Sequence, residues 1–178
     1  MTILKVPVNP SDHAQGSEDA PLTLLEYGDY ECPYCGLAHP IVKALQSHFG
    51  ERLRFAFRNF PLTQIHPHAE SAAETAEFAI AHERFWEMHD GLYENQQYLG
   101  EPLYERLAVQ LGLSVRDLRA ALIAGTFAPR VRADFLSGVR SGVNGTPTFF
   151  INNKRHDARF DYDDLVAALE AEYLRQAA

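Results

Sequence analysis

The sequence predicts an α/β fold in which a small sheet domain is interrupted by an all-helical insertion. Leu22 to Tyr27 is a nearly continuous apolar run that leads through Cys32-Pro33 into an apparent helix and on to a period-two stretch, Arg52 to Arg58. Pro67 to about Gly142 carries only helical spacing of Ala, Leu and aromatic residues. Thr148-Phe149-Phe150-Ile151 then restores strand character before a closing amphipathic helix. The order strand-helix-strand, helices, strand-strand-helix divides the chain into an N-terminal part of the sheet domain at 1–62, a helical insertion at 63–141 and a C-terminal part at 142–178. With 178 residues and 46% hydrophobic content, the chain can bury the core that such a domain needs.

Each element has its own signal. Val6-Pro7-Val8 reads as a short edge strand, and Asn9-Pro10-Ser11-Asp12 with Gly16-Ser17 as the surface loop after it. Leu22 to Tyr27 has the apolar character of a strand covered on both faces, with Glu26 as its anomaly. Pro33 suits the first turn of a helix, where its missing N–H has no partner to lose. That helix runs towards Phe49-Gly50, and Pro40 inside it predicts a kink. In the insertion, three to five helices are expected, with breaks near Gly91 to Pro102, at Gly112 and at Gly125 to Pro129. Ser114-Val115-Arg116-Asp117 reads as a capping box and Phe85-Trp86-Glu87-Met88 as core packing. Asn152-Asn153-Lys154 reads as a hairpin turn, with Arg155 to Phe160 returning beside Thr148 to Ile151. Asp161 caps the closing helix, whose apolar face is Leu165, Val166, Ala168, Leu169 and Tyr173.

The chemistry is concentrated in Cys32-Pro33-Tyr34-Cys35, which holds the only two cysteines of the chain. A thiolate, not a thiol, attacks a disulfide, so a reactive cysteine needs a site that favours negative sulfur. A helix N-terminus supplies it through unpaired N–H groups and the positive end of the helix dipole. Cys32 stands at the junction and reads as an exposed nucleophile; Cys35, one turn on, reads as the resolving thiol. The other readings of the pair are two core cysteines or half of a metal site, for which only histidines such as His39, His66 and His68 remain as partners. No metal is expected.

Together, Glu26-Tyr27-Gly28-Asp29-Tyr30-Glu31-Cys32-Pro33-Tyr34-Cys35-Gly36 and Gly145-Thr146-Pro147-Thr148-Phe149-Phe150-Ile151 resemble the DsbA-like branch of the thioredoxin superfamily, from about Gly16 onwards. The resemblance implies a thioredoxin fold with an inserted all-helical domain. It implies that Pro147 is a cis-proline opposite the redox pair, that Thr146 before it tunes redox behaviour, and that both shape a groove for a partner's backbone. It also implies that Glu26 is buried beneath the pair, where a desolvated carboxylate can exchange a proton with Cys35; the alternative reading of Glu26, which the sequence favours less, is a strand-edge side chain reaching solvent. Pro33-Tyr34 matches the dipeptide of glutaredoxins rather than the Pro-His of strongly oxidising DsbA proteins, which predicts a less oxidising pair.

The expected activity is thiol-disulfide exchange with protein thiols or disulfides. The Cys32-Cys35 dithiol is its own redox group, without an organic cofactor, and a separate redox partner recycles it. A net charge of −8 speaks against nucleic acid and anionic membranes as partners. No apolar run approaches the ~18 residues of a membrane span, so no membrane insertion is expected. Ile3 to Val8 is too short for a secretory core, which points to the cytoplasm, or to a periplasmic or other extracytoplasmic setting if a signal has been removed. Two other classes stay open: a noncatalytic protein-binding or metal-binding module, and a glutathione-dependent kappa-type transferase or isomerase. The sequence sets neither the direction of electron flow nor the oligomeric state.

Overall fold

The computed structural model describes residues 2–176. Its sheet is built from β1 (His13–Gln15), β2 (Leu22–Gly28), β3 (Leu53–Asn59), β4 (Thr148–Ile151) and β5 (Lys154–His156), in the order β1-β3-β2-β4-β5. β2 and β3 are parallel, joined through helix α1 (Pro33–Phe49), and the other three pairings are antiparallel. Central β2 is covered on both faces, which is why its sequence is nearly continuous in apolar residues.

Alternation along β2 divides the core. Leu22 and Leu24 point towards α1 and join Phe55, Phe57, Phe149 and Ile151 in the larger cluster. Leu25 and Tyr27 join Ala56, Phe60 and Phe150 on the opposite side. Because side chains two apart share a face, Glu26 and Gly28 fall on the α1 side. α1 answers with Cys35, Ala38, His39, Val42, Leu45 and Phe49, a buried stripe at helical spacing, and leaves Pro40 on its exposed side.

Between β3 and β4 lie α2 (Ala69–Phe78), α3 (Phe85–Glu94), α4 (Glu101–Gln110), α5 (Val115–Ala124) and α6 (Ala128–Arg140). α2 presents small residues, Ala69, Ala72, Ala73 and Ala76, all buried, which lets neighbouring helices approach closely. Phe85 and Met88 are core residues, as expected. Ser114 caps α5 by accepting the Asp117 N–H at 3.2 Å. Asp161 does the same for α7 (Tyr162–Gln176), accepting the Asp164 N–H at 3.1 Å.

Two expectations at the sheet edges are corrected. Val6-Pro7-Val8 forms no strand: the carbonyls of Val6 and Pro7 accept the Arg58 guanidinium at 2.8 and 3.0 Å instead of pairing in a ladder. The edge strand lies seven residues later at His13, antiparallel to β3 with His13 opposite Phe57. It is followed by Gly16, where φ is +98° and a Cβ would stand 2.4 Å from the Leu53 carbonyl oxygen. At the other edge, β5 covers only Lys154–His156, because the His156 ring meets the Arg159 carbonyl at 2.7 Å and turns the chain away. The turn before it runs through Asn152 and Asn153, both at positive φ, as an Asn-Asn hairpin requires.

Candidate active site

The topology brings together residues more than a hundred positions apart. β2 hands the chain to α1, while the Thr146-Pro147 peptide, which is cis, immediately precedes β4. Since Tyr27 pairs with Thr148, the start of β4 lies beside the end of β2. The Cys32 sulfur consequently lies 3.3 Å from the Thr146 carbonyl oxygen and donates to it. This contact corrects the expectation of an exposed nucleophile: Cys32 is only 4% exposed, covered by the loop before β4, whereas Tyr34 is 61% exposed.

Cys32 is the N-cap of α1, Pro33 occupies N1, and no side chain caps the helix. In this position the N–H groups of Tyr34 and Cys35, which a Ser or Asp cap would otherwise take, favour charge on the Cys32 sulfur. Its pKa falls to about 5. The Cys35 side chain is the largest cause, against the cost of burial, with help from Thr146 and those two N–H groups. Cys35 goes the opposite way. Fully buried, with Cys32 and Glu26 adding to the effect, its thiol is pushed well above the ordinary range, although the Asp29 N–H points at its sulfur from 3.5 Å. Both thiols are free.

Glu26 is 2% exposed on the α1 face of β2, so the reading of a strand-edge side chain reaching solvent is not what the structure holds. Among the described residues its Oε1 has no hydrogen-bond partner. Burial, with the Cys32 charge second, raises its pKa to about 8. Tyr93 closes the same space from α3. A Cβ at Gly28 would stand 2.8 Å from its hydroxyl and 2.4 Å from the Phe57 ring, so glycine is required there for the phenol to reach the strand.

Several residues of this site carried no functional signal in the sequence. Asp29 is 1% exposed and accepts from the Glu31 and Leu62 N–H groups at 2.8 and 2.9 Å and pairs with His66 Nδ1 at 2.7 Å. It thereby hangs the loop after β3 on the turn before α1. Gln96, from the turn after α3, donates its side-chain amide to the carbonyls of Tyr30 and Cys32 at 2.7 and 2.8 Å. Asp29 was at least visible inside the motif, as a turn-former before a helix; Gln96 is one polar residue in a long helical stretch. Beside the cis-proline loop, Phe60, Leu62, Ile65, Val139 and Val143, together with the polar Thr63, Gln64 and Asn144, line an open cleft of about 430 Å³.

A metal would find one group of donors among the described residues. His39, His89 and Asp90 each offer one ligand atom within 4.8 Å of the others, and neither His66 nor His68 belongs to it. Lys43 holds the Asp90 carboxylate at 2.6 Å, so the group is already an ion pair beside two buried imidazoles.

Known proteins are similar to this chain over nearly all of its length. The family model described as Thioredoxin matches residues 8–171. The Na+/H+ antiporter NhaA 1 of Salinispora arenicola is 42% identical over 171 residues, which is 96% of this chain and 26% of that protein. This chain thus spans about a quarter of the length of the curated relatives it matches. Among solved structures, oxidised BdbD from Bacillus subtilis is 26% identical with a TM-score of 0.87, covering 97% of this chain and 98% of that one. The alpha-DsbA1 of Wolbachia pipientis shares the fold at 18% identity and a TM-score of 0.83, over 97% and 95% of the two chains.

Proposed function

The chain belongs to the thioredoxin family, in its DsbA-like branch, and on that premise we propose that it exchanges disulfides with protein substrates through Cys32 and Cys35. The observation that carries the reading is the placement of the pair: Cys32 is the uncapped N-cap of α1, 3.3 Å from the Thr146 carbonyl of the cis-proline loop, and Cys35 is fully buried one turn on. This difference in setting lowers the pKa of the first thiol and raises that of the second. A thiol that ionises readily is both the better nucleophile near neutral pH and the better leaving group, and one that resists ionisation stays protonated until the mixed disulfide needs it.

In the reducing direction the Cys32 thiolate attacks a substrate disulfide, forming a mixed disulfide and expelling one substrate thiolate. Cys35 then loses its proton to the Glu26 carboxylate and attacks the Cys32 sulfur; the second substrate thiolate leaves, and Cys32-Cys35 is a disulfide. Oxidation of a substrate dithiol is the reverse, with Cys32 leaving as the thiolate. Each cycle moves two electrons. Lowering the Cys32 pKa to about 5 stabilises the reduced form of the pair near neutral pH, because its thiolate exists only in that form. That stabilisation supports the oxidising direction and works against the less oxidising pair expected from Pro33-Tyr34. An oxidant of this kind belongs in a compartment where disulfides persist.

The dithiol needs no organic cofactor, only a partner that returns it to its starting redox state. Thr146 and Pro147 serve as the substrate-facing loop, and the cleft beside them accommodates an apolar segment of the client. The activity named for the antiporter relatives belongs to proteins about four times as long, of which this domain corresponds to one part. Their likeness supports a setting beside a membrane transport unit. The test is a Cys35→Ser variant in whole cells: it should accumulate mixed disulfides through Cys32 that dithiothreitol releases, membrane proteins among them, and a variant that traps nothing sinks the exchange reading.

Glu26 supplies a separable prediction. Its pKa is raised in the fold, so its contribution to stability is full below about 4.5 and is lost as pH rises through about 8. Glu26→Gln should therefore raise the melting temperature most near pH 8, by the equivalent of about 3–5 kcal/mol, and little near pH 4. The same variant should slow release of the mixed disulfide at least ~10-fold. Equal melting shifts at both pH values would remove Glu26 from this role.

A further inference from the structure

We propose that Gln96 is a positioning residue for the redox pair: its side-chain amide, delivered by the helical insertion, holds the Tyr30-Cys32 turn so that the Cys32 sulfur faces the open N-terminus of α1. The proposal rests on the exchange reading above and adds the part of the insertion that supports it.

The geometry is specific. Both hydrogens of one amide nitrogen are used, on carbonyls two residues apart, at 2.7 Å to Tyr30 and 2.8 Å to Cys32. The Cys32 carbonyl also accepts the Gly36 N–H at 3.1 Å, the first bond of the α1 ladder, so Gln96 adds a second donor where the helix begins. On the other side, the Cys32 N–H is bound to the Asp29 carbonyl at 3.1 Å. The turn is held at both ends, and Cys32 keeps its extended N-cap conformation with φ −71° and ψ 120°.

Gln96 is itself presented rigidly. It opens the 3-10 turn Gln96–Tyr98, which follows α3 and is fixed by the Asn95 side chain on the Gly91 carbonyl at 2.9 Å and by the Tyr98 N–H on the Asn95 carbonyl at 2.8 Å. Space for it exists because residue 36 is glycine. A Cβ there would stand 2.4 Å from Gln96 Oε1 and 3.0 Å from its Cδ. Gly36 lies in the interior of α1, where glycine ordinarily costs about 1 kcal/mol against alanine; room for the amide accounts for its presence.

Electrostatics gives the arrangement its effect on the thiol. Two amide hydrogens directed at the turn carbonyls offset oxygens whose partial negative charge otherwise opposes a nearby thiolate. A carboxylate at 96 would reverse this, having no hydrogens to donate and a full negative charge.

The test is the titration of Cys32 in the reduced, full-length protein, followed by ultraviolet thiolate absorbance and by the rate of alkylation with iodoacetamide. Gln96→Ala and the nearly isosteric Gln96→Glu should each raise the midpoint by ~1 unit or more, a ~10-fold loss of thiolate below it. Gly36→Ala should shift it in the same direction by displacing the amide, even though alanine favours the helix. In the Gln96→Ala background, Gly36→Ala should add nothing. An unchanged midpoint in both Gln96 variants, or a Gly36→Ala shift that persists without Gln96, overturns the proposal. Because titration needs no substrate, the result stands apart from disulfide exchange: a wild-type protein that fails to exchange disulfides would refute the activity and leave the Gln96 effect on Cys32 to be decided by the same midpoints.

Discussion

Cys32→Ser should abolish disulfide exchange, by ~10³-fold or more, while the protein keeps its fold, because the reacting sulfur is lost and a serine hydroxyl does not ionise near neutral pH. The wild-type pH profile should identify the same atom. Alkylation follows the thiolate fraction, so its rate should rise with a midpoint of about 5, set chiefly by the neighbouring Cys35, rather than near the ~8.5 of a free cysteine. Cys35→Ala removes that leading cause and should move the midpoint upward. A wild-type midpoint near the free value would show that the N-cap position and the Cys35 contact do not act on Cys32 as described.

Asp12→Ala should destabilise the fold by about 3–5 kcal/mol, the largest stability effect expected outside the hydrophobic core. Arg58 is 1% exposed, and its Nε and one terminal nitrogen donate to the two Asp12 oxygens at 2.7 Å each. Its remaining donors go to the carbonyls of Val6 and Pro7 and to the Tyr27 hydroxyl. Removing the carboxylate strands a guanidinium that cannot lose its proton, beneath the N-terminal segment that it anchors. At 2–4 °C per kcal/mol for a chain of this size, the melting temperature should fall by roughly 10 °C, measurable by calorimetry. A double variant with Arg58→Met and Asp12→Leu should recover much of the loss, since the cost lies in the unpaired charge; no recovery would show that the pair itself supplies the stability.

These two outcomes stand at opposite ends of what could be read in advance. Cys32 and Cys35 were evident from spacing alone, and the Glu26 anomaly was visible as a charge in an apolar strand, because burial of β2 on both faces leaves no ordinary place for one. The Arg58-Asp12 pair was not visible. Arg58 lies at the end of an alternating strand and Asp12 in a turn-rich segment, and each is ordinary in its own window. The edge strand escapes the sequence for a related reason. His13-Ala14-Gln15 has no alternation to announce it, whereas Val6-Pro7-Val8 looks strand-like until Arg58 takes its carbonyls. A helix N-terminus is usually open, so the sequence places Cys32 at the surface; the loop before β4 covers it.

By itself, the sequence determined what depends on short-range periodicity: the strand that feeds a helix, the N-cap position of Cys32, the helical run of the insertion and the turn at Asn152-Asn153. Tertiary structure alone decided which distant groups meet that cysteine. The pairing of Tyr27 with Thr148 delivers the Thr146 carbonyl, and the packing of the insertion delivers Gln96. The physical reason is range. Propensity and side-chain periodicity act over one or two turns, while the acidity of a buried thiol depends on every dipole and charge within several ångströms, wherever in the chain it originates.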